Sequence, residues 1–260
     1  MTATLAYIVI ANVLTTVVSI GLAAWLSFRW LSSLVDRLVC VSAGLLLTVA
    51  FTHLLPEAFH SDADPSVLGW LLLAGILGLF LLEKVALIHH THHHEGDVHH
   101  HAHGHDAQEA RRGGWPVLIG DTFHNFGDGV LIAAAFVVDV KLGVAATTAV
   151  LAHEVPHEIG DFMILLNAGF SRRKAFVFNL LAGCSAVVGG VIGYFVLERL
   201  QPLLPYALAL AAASFIYIAL SDLLPEMMRR TSLRRSLPEV GLVLLGVLVG
   251  ALATTVTRAH

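Results

Sequence analysis

Two polar signatures sit in the middle of apolar runs, and they constrain this chain more than any other feature. One is His124-Asn125-Phe126-Gly127-Asp128-Gly129. The other is His153-Glu154-Val155-Pro156-His157-Glu158-Ile159-Gly160-Asp161. Each run is long enough to cross a bilayer as a helix. Residues four apart share a helix face, so His124 lies over Asp128, and His153, His157 and Asp161 form one stripe. Asn125 flanks the first stripe; Glu154 and Glu158 flank the second. Imidazoles, carboxylates and an amide facing each other between two helices form a ligand set for a divalent metal ion.

The rest of the chain agrees with a membrane setting. It is 57% hydrophobic and 13% charged, with a mean hydropathy of +0.78. A soluble domain carries about twice that charge. Apolar runs predict eight spans, at 4–28, 38–60, 67–88, 115–138, 142–168, 175–197, 203–225 and 238–257. The expected fold is an all-α polytopic membrane protein, one transmembrane domain over 1–260. The first run lacks the basic flank of a cleaved leader and is expected to be a retained span. Cys40 and Cys184 lie in separate runs and imply neither a disulfide framework nor a thiolate metal site. They are expected to be buried small hydrophobes.

Basic residues set the orientation. With both termini outside, 12 of the 15 Lys and Arg fall on the inner side, and only Lys141, Arg199 and Arg258 fall outside. The longest loop, 89–114, is then cytoplasmic. It holds His89, His90, His92, His93, His94, His99, His100, His101, His103 and His105. It shows no apolar periodicity, the pattern of an unstructured segment. Its imidazoles suit weak, multivalent metal contact; the alternative is a solvated linker.

A short internal echo also appears. Span two ends His53-Leu54-Leu55-Pro56-Glu57, and span seven ends Asp222-Leu223-Leu224-Pro225-Glu226. The two run in opposite directions, as inverted repeats do in transporters. A 3+2+3 arrangement is therefore expected, with spans four and five as the central pair.

The signatures lie near the midpoints of their spans. A charged side chain there costs roughly 2.5–3.5 kcal/mol, and Asp128, Glu154, Glu158 and Asp161 share that depth. The adjoining histidines and amide make a bound cation the natural offset. Gly127, Gly129 and Pro156 weaken the two helices at the same level, which membranes tolerate where protein or water covers the backbone.

His153-Glu154-Val155-Pro156-His157 also matches HExxH, the pattern of zinc metalloproteases. An intramembrane protease is thus a rival class. Pro inside the motif, the extra ligands His124, Asn125 and Asp128, and the lack of a visible substrate domain weigh against it. No enzyme activity and no catalytic cofactor are expected.

At these residues the chain resembles the ZIP (Zrt- and Irt-like) family of divalent metal transporters, in the branch whose fifth span reads HExPHExGD. The resemblance covers the whole chain and implies a metal centre between spans four and five. One metal would use His124, Asp128, His153 and His157. A second would use Asn125, Glu154 and a shared ligand, His157 or Asp128. The family often completes that second site with a carboxylate on span six, where this chain has Asn179, so one high-occupancy site is the expectation. The resemblance further implies metal movement toward the cytoplasm, rigid-body motion of a bundle holding spans four and five, and pairing into a homodimer.

The cargo implied is Zn²⁺, with Fe²⁺, Mn²⁺ and Cd²⁺ also compatible with mixed nitrogen and oxygen ligands. His53, Glu57, Asp161, Asp222 and Glu226 are candidate pathway residues. A bacterial inner membrane is the expected location, in a compact version of the family. A metal exporter is the second transporter alternative; no nucleic-acid partner is expected. If the loop concentrates metal, deleting 89–105 should spare uptake at high metal and change its apparent affinity. Unchanged uptake at all metal concentrations would make it a linker.

Overall fold

The computed structural model of the protein describes residues 2–26, 31–91, 107–229 and 233–258. Backbone alone is described at 2, 26, 31–36, 82–83, 85–91, 107–113, 222–229, 233–236 and 253–258. The described residues form helices and no strand. These are α1 (Thr2–Leu26), α2 (Leu31–Val49), a π-helical turn (Ala50–Leu54), α3 (Leu55–Phe59), α4 (Pro65–Thr91), α5 (Ala107–Val138), α6 (Val140–Asn167), α7 (Arg172–Arg199), a short 3₁₀ turn (Gln201–Leu203), α8 (Leu204–Arg229) and α9 (Leu233–Arg258).

Local chemistry explains the interruptions. Pro56 has no N–H to return to the carbonyl of Thr52, and its ring crowds that carbonyl. The preceding turn widens to a π-helix at Ala50–Leu54, so α2 continues through it into α3 without leaving the helical path. Asp139 separates α5 from α6. Its backbone is extended, and its side chain accepts the Lys141 N–H at 2.9 Å, capping α6. Ser171 caps α7 from the Lys174 N–H. Gly169, at φ +79°, reverses the chain after α6, a conformation that favours glycine.

Four described segments are long and apolar enough to cross a membrane: Ala3–Trp25, Arg37–Phe59, Arg172–Arg199 and Gln201–Ser221. Pro65–Leu81 and Leu237–Leu252 are shorter apolar stretches. Helices α5 and α6 are absent from this set for a physical reason: their middles carry the polar signatures. Many large apolar side chains point outward, among them Trp25, Trp70, Leu181 and Leu248. Such a surface fits lipid rather than water.

The helices sort into two packed groups. Helices α1, α5, α6 and α7 pack on one another, and α2, α4, α8 and α9 form the other set, in which α2 pairs with α9 and α4 with α8. Glycine sets the closest approaches. Gly44 of α2 lies against the Val243 carbonyl of α9, and Gly246 of α9 lies against the Val41 carbonyl of α2. Gly129 of α5 faces the Ala186 carbonyl of α7, and Gly189 of α7 faces the Phe126 carbonyl of α5. Helices without a hydrophobic effect to join them associate through such close backbone packing. Ser185 of α7 also donates to the Thr122 carbonyl of α5 at 2.7 Å, and Thr16 of α1 to the Gly183 carbonyl at 3.1 Å.

Between the groups lies a large buried cluster rich in alanine. It joins Leu46 and Ala50 to Ala146, Ala149 and Val150 of α6, and to Ala212 and Phe215 of α8. Cys40 is buried as expected, but Cys184 is exposed on the outer surface of α7.

A β-carbon at Gly129 or Gly189 would meet backbone, which cannot swing aside. Gly129→Val or Gly189→Val should therefore cost about 1–3 kcal/mol, read as a lower melting temperature in detergent. Gly78 has open space around it, and Gly78→Ala should lose no stability. Equal melting of all three variants would remove the α5–α7 seam as a stability determinant.

Candidate metal centre

The turn at Asp139 lays α5 and α6 side by side and antiparallel. His124 and Glu154 lie the same number of residues from that turn, so they arrive at the same level. Asp128 and His153 follow one turn nearer to it and beside it. The sequence stripes therefore converge on one point.

The convergence is close. His124 Nε2 lies 3.2 Å from Glu154 Oε1 and 3.8 Å from Asp128 Oδ2. His153 Nε2 lies 3.0 Å from Asp128 Oδ2 and 3.6 Å from Glu154 Oε1. All four atoms fall within 4.8 Å of one another. Asp128, His153 and Glu154 are buried, and His124 is partly open. Apart from these contacts with one another, none of the four atoms has a hydrogen-bond partner. Burying such atoms unsatisfied is costly, and a dication between them would satisfy all four.

A second contact prepares His153 for this role. Its Nδ1 lies 3.2 Å from the Ala149 carbonyl. A carbonyl only accepts, so Nδ1 carries the proton and Nε2 keeps its lone pair toward the cluster. The ring of Phe215, from α8, closes one side of His153 at 6.3 Å.

The remaining sequence candidates fall around this core. His157 is exposed, and its ring stacks on His124 at 5.0 Å. Asn125 is buried and turned away from the four-atom cluster; its amide donates to Asp121 Oδ1 at 2.6 Å and to the Asp121 carbonyl at 3.2 Å. Asp121 is a buried carboxylate that the sequence reading did not single out. It precedes Asn125 by four residues on α5, and that spacing was the available signal. Asp161 is half-buried, and Glu158 is almost fully buried.

Beyond the cluster, toward the Asp139 turn, α5 and α6 bury only apolar side chains: Ile132, Ala133, Ala135, Ala146, Ala149 and Val150. Past this layer, a cavity of about 280 Å³ opens at the surface, lined by Thr52, His53, Pro56, Glu57, His60, Val138, Asp139, Lys141 and Leu142. His53 and Glu57 were legible in sequence; His60 and Asp139 join them only through the fold. His60 Nδ1 donates to the Pro56 carbonyl at 2.6 Å, leaving Nε2 as an acceptor. The Thr52 hydroxyl donates to the Thr48 carbonyl and sits 2.7 Å from His53 Nδ1, which makes that nitrogen the donor as well.

Asp222 and Glu226 lie in α8 by backbone, with side chains outside the described residues. The same holds for His89 and His90 in α4, and His92, His93, His94, His99, His100, His101, His103 and His105 lie outside the described residues altogether.

The sequence model of the family described as ZIP zinc transporter matches residues 88–254, more than half of the chain and all of the clustered side chains. The chain belongs to this ZIP family. It is 42% identical over 127 residues to "Zinc transporter ZIP10" of Danio rerio, covering 49% of this chain and 15% of that protein. It is 39% identical over 152 residues to the Homo sapiens protein of the same name, covering 56% and 18%. It is 43% identical over 113 residues to "Metal cation symporter ZIP8" of Rattus norvegicus, covering 44% and 24%. The aligned region thus spans less than a quarter of the length of these ZIP relatives.

Removing one ligand should show directly in metal content. Purified His153→Ala protein should hold one fewer tightly bound zinc per chain than wild type after dialysis. Losing a supporting partner alone weakens metal sites by about 10–100-fold, so losing a ligand should cost at least that. Undiminished zinc content would detach His153 from the site.

Proposed function

We propose that this ZIP protein moves divalent metal ions, Zn²⁺ foremost and Fe²⁺ or Mn²⁺ as well, into the cytoplasm through the cluster between α5 and α6. The carrying observation is the set of four buried ligand atoms, on two helices, that face one another with no other partner. The printed names of the relatives, zinc transporters and a metal cation symporter, support the same cargo.

The chain crosses the membrane eight times in this reading, with both termini outside and the His-rich loop in the cytoplasm. The 3+2+3 inverted repeat is supported by helix pairing. An in-plane two-fold relating the outer triplets exchanges α5 with α6, α1 with α7, α2 with α8 and α4 with α9. The α2–α9 pair then maps onto α8–α4, and the α1–α6 pair onto α7–α5; both mapped pairs are packed in the fold. Pairing into a homodimer is proposed on the family resemblance.

Metal enters at the cavity holding His53 and Glu57, where His60 keeps Nε2 as an acceptor. The apolar layer below it lacks ligands for a dication, so a static protein would hold the ion there. Alternating access resolves this. The α1, α5, α6 and α7 group moves as a body against the α2, α4, α8 and α9 group, carrying the cluster from one side of the layer to the other. Alanine at the shared face presents low ridges, which suits sliding. At the cluster, imidazoles and carboxylates replace water around the ion. His157, stacked on His124, takes part as a ligand in the loaded site, and Asn125 and Glu154 offer oxygen for a second ion. Asp161, Asp222, Glu226 and the loop histidines lie on the release side.

The protease alternative needs Glu154 free to act as a general base beside two zinc-bound histidines. Instead its carboxylate sits inside the cluster, within 3.6 Å of both His124 and His153, while His157 is exposed. The arrangement favours a carried ion over a catalytic one.

In reconstituted vesicles, zinc uptake should vanish with His153→Ala and fall with His157→Ala, in protein that still inserts. Wild-type uptake by the double variant would overturn the assignment. Uptake should also decline as pH falls, because protons and metal compete for the same nitrogen and oxygen atoms. Constant uptake from pH 8 to about pH 5, below the ordinary imidazole pKa, would contradict ligation by these histidines. Efflux without uptake under either gradient direction would favour an exporter.

A further inference from the structure

The start of α7 gathers charge that its own first turn does not balance. Arg172, Arg173 and Lys174 follow one another there, all exposed, and no acidic residue shares the turn. Cations at a helix N-terminus are opposed by the helix dipole and by one another. Three aromatic rings lie beside them. Trp115 of α5 sits 6.1 Å from Phe170 and 5.4 Å from Phe178 between ring centroids, and Phe170 sits 5.7 Å from Phe178. Lys174 lies one turn from Phe178 on the same helix face. Although Trp115 packs on both phenylalanines, it stays 51% exposed. A half-exposed indole beside cations, at the end of an apolar span, marks the interface between headgroups and acyl chains. Arg172–Arg199 is such a span by length and composition.

From Arg173 an apolar stripe runs along the exposed side of α7. Val177, Leu181, Val188 and Ile192 follow at helical spacing, and the exposed Cys184 lies among them. Val177 to Val188 covers about 16 Å of helix, close to one leaflet of a hydrocarbon core about 30 Å thick. Helix α5 runs parallel to α7 here, because Trp115 meets Phe178 and the Thr122 carbonyl meets Ser185. The exposed Ile119 of α5 therefore stands near the level of Leu181.

We propose that Arg173, Lys174 and Trp115 bind the headgroup of an anionic phospholipid, with an acyl chain laid along Val177, Leu181 and Val188. The phosphate offsets the cations that the first turn leaves unbalanced, and the indole lies at the boundary between headgroup and chain. Side chains from α5 and α7 both take part, so the lipid spans the seam between these helices. The proposal needs a membrane setting only; it does not rest on the transport reading.

Trp115 itself reports on the site. In the full-length chain carrying Trp25→Phe, Trp30→Phe and Trp70→Phe it is the one tryptophan left. The probe is a phospholipid with brominated chains, which quenches nearby indole fluorescence, mixed into phosphatidylcholine vesicles holding the protein. Brominated phosphatidylglycerol should quench Trp115 at a mole fraction on the order of tenfold lower than brominated phosphatidylcholine, since each basic residue near an anionic surface contributes about fivefold. This preference should shrink from about 0.01 M to about 1 M salt, as the screening length falls from about 30 Å to about 3 Å. Arg173→Gln with Lys174→Gln should abolish it. Ser171 caps the backbone N–H of Lys174, which that variant keeps. Arg199→Gln, at the far end of α7, should leave the preference intact. Equal quenching by the two lipids before any charge is removed, or a preference that survives the double variant, overturns the site. Quenching by neither lipid would mean that protein, such as a second copy of the chain, covers Trp115, and would overturn it as well.

Discussion

The structure depends on pairing carboxylates with imidazoles at the depth where neither is cheap to bury. A charged side chain at mid-membrane costs roughly 2.5–3.5 kcal/mol, and Asp128 and Glu154 are both buried. Their partners, His124 and His153, are 3.0–3.8 Å away, too few to satisfy every lone pair. A dication shared by all four would remove the deficit, and its departure would restore it. A site of this kind holds its ion in proportion to how poorly it stands without one, which is what a carrier requires of a site that must also let go.

Everything around the pairing serves to place it. The capped turn at Asp139 fixes the register of α5 against α6. Gly129 and Gly189 let α7 approach α5 until backbone meets backbone, so the ligand-bearing helices are held by α7 on one side and α1 on another. The alanine-rich face toward α2 and α8 is different in kind. It is tight and apolar, and it separates the polar cavity near His53 from the ligands. Asp128 and Asp139 are about 16 Å apart at 1.5 Å per residue, and α5 and α6 bury only apolar side chains between the cluster and the turn. On the proposed transport reading, motion of one helix group against the other would carry an ion past that layer.

Much of this was legible in the residues. The spacing of His124 with Asp128 and of His153 with His157 put each set on one face, and their positions within their runs put them at one depth. Helix pairing was legible only faintly, through the echo of His53-Leu54-Leu55-Pro56-Glu57 in span seven. What periodicity could not give was rotation about each helix axis. It could not say that Asn125 turns to Asp121, that His157 sits on the open side of His124, or that Glu158 is sealed against Asn179. Those depend on which neighbour covers each face, and three helices meet there. His60 and Asp139 were hidden for a similar reason: they lie on different loops that only the fold brings to one cavity.

The most direct test is anomalous scattering at the zinc edge from crystals of the zinc-loaded protein. The account predicts a peak enclosed by His124, Asp128, His153 and Glu154, lost in His153→Ala crystals of the same form. Zinc bound elsewhere on a well-folded chain, with no density among those four side chains, would contradict it.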